Sequence, residues 1–218
     1  MKAVELLDLI PDNGVLSIIE RNYESDGDLF VLLLIKHLLK QKKTVFVLLY
    51  DPFLVFKENL EEIGVNLDEV LGKTLFILDI FGSVHKIERE IEGVYQIKGY
   101  IDDIVFVDKF RDVFFYKVSS ISSEEIWLFT YLSSSICKLF SNPLMTYKRL
   151  LPVKSTVTQV VKSIKVIGVY NVCECPGIER IVYPYSDIIV ETLFKDGRKM
   201  GIVTKGYEET VFELFGGD

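Results

Sequence analysis

Three cysteines, two histidines and one tryptophan are all that the 218 residues hold of those types. Each scarcity excludes a class of function. Cys137, Cys173 and Cys175 are too few for a disulfide-built scaffold. With no secretory leader to be read at the start, they argue for a reducing interior and no disulfide framework. Cys173 and Cys175 form a Cys-x-Cys pair, but zinc asks for two further ligands, and only Cys137, His37 and His85 remain. The pair therefore reads as part of a loop, and no metal or other cofactor is expected. Two histidines leave little room for a catalytic triad, and no serine stands in a G-x-S-x-G elbow. The longest apolar run, Leu29 to Ile35, ends after seven residues, where a membrane span needs roughly 20. A soluble, cytoplasmic chain is expected. Positive charge is in deficit, 25 Lys and Arg against 32 Asp and Glu. The surface as a whole repels phosphate backbones and anionic membranes, so neither nucleic acid nor membrane is an expected partner.

What is present describes a single domain, residues 1–218, with an ordinary balance of 49% hydrophobic and 26% charged residues and no repeat or linker. Met1 to Ile10 reads as a short helix ended by Pro11. Val15 to Ile19, Thr44 to Tyr50 and Thr74 to Ile80 are continuous apolar runs, as strands buried on both faces require. Between them, Leu29 to Lys40 reads as a helix, and Phe53, Phe56, Leu60 and Ile63 share the face of another, closed by Gly64. This β-α-β-α-β order predicts a doubly wound parallel sheet. Residues 83–122 mix strand and helix spacing and give no firm boundary. Ile126 to Leu132 predicts a fourth strand, Pro143 opens a helix, Thr156 to Ile164 reads as a helix, and Lys165 to Val172 predicts a fifth strand. Around Asp196-Gly197 the pattern becomes an antiparallel hairpin. "LGKT" (Leu71 to Thr74) leads into a strand and has leucine where a phosphate loop needs its first glycine, so it reads as a turn.

The joint between the first strand and the next helix, "ERNYESDGDL" (Glu20 to Leu29), carries the chemistry worth weighing. Its oxygen side chains at alternate positions are similar to a calcium loop, but the closing bidentate glutamate would fall on Leu33. The simpler expectation is a solvated turn in which Ser25 or Asp26 caps the helix and the acids suit its N-terminal dipole.

The segments "GVLSIIER", "VFVLLYDPF", "ENLEEIGVNLDEVLGKTLFILDI" and "YSDIIVETLFKDGRKMGIVTKG" resemble, in order and phrasing, the RecA-like ATPases. They are most similar to the KaiC-like branch common in archaea, including a small uncharacterised hyperthermophilic group. That resemblance implies a three-layer α/β/α RecA-like sandwich, its mostly parallel sheet closed by a C-terminal antiparallel hairpin. It also implies where nucleotide chemistry should lie, and there this sequence departs. The phosphate-loop glycines fall on Arg21 and Asp26, the lysine on Gly27 and the magnesium-binding hydroxyl on Asp28. The magnesium-positioning aspartate of the fourth strand falls on Thr130. Of the acidic pair after the second strand the first is Tyr50, leaving Asp51, and Lys205 has no arginine after it. A carboxylate ~4 Å from a phosphate is repelled by roughly 4 kcal/mol at an effective dielectric of about 20. The expectation is an inactive ATPase relative that serves as an interaction or regulatory module, with a protein partner or a second copy of itself. The alternative is a metal- or nucleotide-dependent enzyme with a repurposed acidic cleft at the strand C-termini. Glu24, Asp26, Asp28 and Asp51 are its candidate metal ligands, with Asp79 nearby.

Overall fold

The structure is a computed structural model and describes residues 3–131 and 136–215. Position 132, expected to end the fourth strand, and the start of the first helix lie outside them. The chain runs through α1 (Leu6–Leu9), β1 (Val15–Glu20), α2 (Gly27–Lys40), β2 (Thr44–Leu49), α3 (Phe53–Glu62), α4 (Leu67–Val70), β3 (Leu75–Asp79) and α5 (Ile80–His85). It continues through β4 (Val94–Tyr95), α6 (Asp103–Ser119), β5 (Glu125–Tyr131), α7 (Ile136–Leu139), α8 (Pro143–Leu150), α9 (Val153–Val157) and β6 (Ser163–Asn171). Helix α10 (Glu179–Tyr185) then precedes β7 (Ile188–Lys195), β8 (Arg198–Lys205) and β9 (Thr210–Glu213).

Alternation along each strand divides the core into two layers, because successive side chains point to opposite faces. Val45, Val47 and Leu49 pack with Phe30, Leu34, Phe56 and Leu60 beneath α2 and α3. Phe46, Leu48 and Tyr50 pack with Phe106, Phe110, Phe114 and Leu150 beneath α6 and α8. The three-layer α/β/α sandwich is thus built as expected. The nine strands run in the order β4-β3-β2-β5-β6-β1-β7-β8-β9. Strands β1 to β7 are parallel to one another, and the β7–β8 and β8–β9 pairs close the sheet antiparallel. Asp196 and Gly197 make the hairpin turn with positive φ of 51° and 77°.

Two expectations are corrected, and the segment left without boundaries is assigned. The middle segment holds the 17-residue helix α6. Its buried stripe, Phe106, Phe110, Phe114 and Val118, is clear in space but blurred in sequence by Ile104 and Tyr116, which face outward at 63% and 68% exposure. The helix expected over Thr156 to Ile164 stops at Val157, since Ser163 and Ile164 are taken into β6 against Glu125 and Ile126 of β5. The cysteines do pair: Cys137 of α7 is bonded to Cys175 after β6, with Cα atoms 5.7 Å apart, leaving Cys173 as an exposed thiol. Alkylation of the denatured, unreduced protein is therefore expected to label Cys173 alone in a peptide map. Labelling of all three cysteines would rule the bond out. Among the described residues no helix is long and apolar enough to cross a membrane.

Candidate functional site at the end of the first strand

The C-terminal ends of β1, β2, β3, β5 and β6 open on one edge of the sheet, where open α/β sheets place their ligands. On the β7 side of that edge β1 ends on Glu20, a carboxyl only 3% exposed. The chain passes through residues 21–26 and turns into α2 at Asp26, which adopts a left-handed φ of 51°. Neither Ser25 nor Asp26 caps the helix, contrary to expectation. Glu20 does so from outside the loop: its Oε1 accepts the Asp28 backbone N–H at 3.0 Å. The Gly27 N–H and the Asn171 side chain add to that cradle. The first amides of a helix are a ready anion site, and here the anion position is taken by the chain's own carboxyl. Burial, and then the nearby Asp28 carboxylate, push the Glu20 carboxyl up from 4.5 to about 7 against the pull of these hydrogen bonds.

Gly27 is what allows this approach. A Cβ there would lie 2.7 Å from Glu20 Cγ, 2.9 Å from its Oε1 and 3.0 Å from Thr192 Oγ1. The rest of the loop is stitched to the C-terminal hairpin. Arg21 makes a two-pronged ion pair with Glu191, both contacts at 2.8 Å, and its backbone N–H reaches the Thr192 carbonyl at 3.0 Å. Asn22 Oδ1 accepts the Phe194 N–H at 3.1 Å, and the buried Ser25 hydroxyl meets that of Thr192 at 2.9 Å. Asp26 is ion-paired with Lys199 of β8.

The acids do not gather round a common point. Glu24 is exposed. Asp28 is pushed up by its own burial first, and by Asp26 and Asp51. Asp79 is fully buried, where it accepts the Gly82 N–H at 2.7 Å and Arg89 Nε at 2.8 Å. Lys205 donates to the Tyr183 carbonyl at 2.8 Å. Among the described residues no group of three or more His, Cys, Asp or Glu side chains is placed to hold a metal ion.

Behind this edge, on the α6 face, lies a cluster of phenols. Tyr147 and Tyr170 hydrogen-bond through their hydroxyls, and burial raises both, with Tyr50, above the usual phenol range. Thr130, 6% exposed, sits among them. Among the described residues Tyr50 Oη has no hydrogen-bond partner, a state that costs about 1–3 kcal/mol for a buried hydroxyl, while Thr130 Oγ1 lies beside the Tyr147 and Tyr170 hydroxyls.

Reading the sequence did not single out Glu20 as a site residue, nor Asn171, Thr192, Glu191 or Lys199. The one local signal was Glu20 itself, a charged residue closing an otherwise buried strand.

No protein-family model matches the chain, and no curated protein matches its sequence. Solved structures do. The chain is similar to the uncharacterized protein PH0321 from Pyrococcus horikoshii, whose crystal structure is in complex with an unknown peptide. The TM-score is 0.76 at 18% identity over 98% of this chain and 99% of that one. It is also similar to the KaiC-like protein PH0186 from Pyrococcus horikoshii, with TM-score 0.60 and 13% identity over 94% of this chain and 84% of that one. The flagellar accessory protein FlaH from Methanocaldococcus jannaschii gives 0.57 and 13% over 94% and 86%. The chain has a RecA/KaiC-like fold.

Proposed function

We propose that this chain keeps the RecA/KaiC-like scaffold without nucleotide binding or hydrolysis and acts as an interaction module for a protein or peptide. The observation that carries this reading is the Glu20 carboxyl on the Asp28 N–H at the start of α2. In ATPases of this fold those amides face phosphate. Here an incoming phosphate would have to displace a buried carboxyl and then sit beside Asp26 and Asp28. The residue at the lysine position, Gly27, supplies no charge, and the nearest lysine on the hairpin, Lys199, is already paired with Asp26. Thr130 and Tyr50, at the positions of the metal-positioning and water-activating acids, are buried and non-acidic. That PH0321 was crystallised with an unknown peptide supports a peptide or protein as the partner class.

Thermal unfolding with ATP and magnesium tests the loss of nucleotide binding. A ligand at 100 times its Kd stabilises by about 2.7 kcal/mol, which for a chain of this size raises Tm by about 5–10 °C. No shift is expected at millimolar ATP–magnesium, and a shift of that size would overturn the proposal.

A further inference from the structure

We propose that the cavity between the sheet and helices α6, α8 and α9 binds a small neutral molecule with an apolar body and one hydrogen-bonding group. The cavity measures about 110 Å³. Its floor is Leu48, Leu128 and Val166, on the sheet face turned away from α2, and Phe110, Phe114 and Leu150 roof it. An engineered apolar cavity of about 150 Å³ takes up benzene, so this smaller space admits at most a single ring or a short branched chain.

Its polar end selects the ligand. Tyr50 is completely buried and lines the cavity, and among the described residues its hydroxyl has no hydrogen-bond partner; Thr130, nearly as buried, lines the cavity beside the Tyr147 and Tyr170 hydroxyls. Buried hydroxyls in native cores are nearly always partnered. The neighbouring phenols Tyr147 and Tyr170 bond to each other, and among the described residues neither is hydrogen-bonded to Tyr50. Gly168 helps to fix that pair, since a Cβ there would lie 2.3 Å from the Tyr170 hydroxyl. A hydroxyl or carbonyl on the guest completes Tyr50, with Thr130 beside it. Charge is unsuited to the site. Among the described residues the one charged side chain on the cavity wall is Lys154, whose ammonium donates to the Asn13 carbonyl, and burial lowers its pKa. The half-exposed Tyr185 also lines the cavity and marks its solvent side. Nothing here involves Glu20 or the loop, so the site stands or falls separately from the loss of nucleotide binding.

Phenol and toluene are the probes, near-equal in shape and different in one hydroxyl, with binding read by NMR titration of the whole chain. Phenol is expected to bind the wild-type protein more tightly than toluene. Tyr50→Phe, which keeps the ring, should cost phenol about tenfold in affinity, the worth of one hydrogen bond, and leave toluene unchanged. Val166→Phe fills the floor and should abolish both. Two results overturn the proposal: neither probe binds the wild-type chain, so that the cavity holds water only, or phenol binds both variants as it does the wild type, so that it sits elsewhere.

Discussion

A Glu20→Gln variant is expected to lose a pH dependence of stability worth about 3 kcal/mol in the wild-type chain. The folded-state value of Glu20 lies at about 7 against an ordinary 4.5, so the folded protein holds this proton after the unfolded chain has released it. The contribution is complete below pH 4.5 and is lost as pH rises through 7, because ionisation then puts a charge into a site only 3% exposed. Asp28, also raised, adds a slope of the same sign, whereas Asp102 and Glu125, held low by their hydrogen bonds and, for Glu125, by Lys43, act only below their ordinary values and leave the comparison of pH 5 with pH 8 untouched. Glutamine keeps the acceptor that meets the Asp28 N–H and removes only the titration. Urea unfolding at pH 5 and pH 8 for both proteins isolates the difference. Equal pH slopes would mean that the Glu20 carboxyl is not held in this buried cradle.

Asp79→Ala is expected to destabilise the fold by about 3–5 kcal/mol, the cost of stripping one partner from a buried ion pair. Arg89 is only 15% exposed along its side chain, and its guanidinium lies 5.1 Å from the centre of the Phe53 ring. Without Asp79 that cation stays buried with its carboxylate gone, and the Gly82 N–H that begins α5 loses its acceptor. Denaturant unfolding measures the loss. Asp79→Asn keeps the shape and one acceptor and should cost less. If Asp79 instead served a metal in an acidic cleft, manganese or magnesium would raise the wild-type Tm and not that of the variant. No such shift is expected.

Much of the fold was legible because its strands are buried on both faces. Runs such as Val15 to Ile19 and Thr44 to Tyr50 have few alternatives to a central parallel strand, and Asp196-Gly197 supplies two residues that tolerate positive φ where the hairpin turns. Helix α6 was not legible, because Ile104 and Tyr116 put apolar side chains on its solvent face and erase the period that Phe106, Phe110 and Phe114 write. The site was half legible. That Arg21, Asp26, Gly27 and Asp28 sit at the joint between β1 and α2 follows from chain order alone. Their partners do not, since Glu191, Thr192 and Lys199 are more than 160 residues away and meet the loop only because β7 pairs with β1. The Cys137–Cys175 bond was missed for the same reason: 38 residues separate the pair, and only the packing of α7 beside the end of β6 brings them together.

Glu20 and Gly27 also constrain the order in which this joint can change. Any side chain at 27 meets the Glu20 carboxyl, with Cβ only 2.7 Å from its Cγ. A lysine placed there by one substitution collides with the seated Glu20 side chain, whereas shortening residue 20 relieves two of the three close contacts and leaves Thr192 Oγ1 at 3.0 Å. A path of single steps must therefore empty the cradle before it can recharge it. Libraries that vary one position at a time will miss a lysine at position 27 that needs residue 20 changed with it.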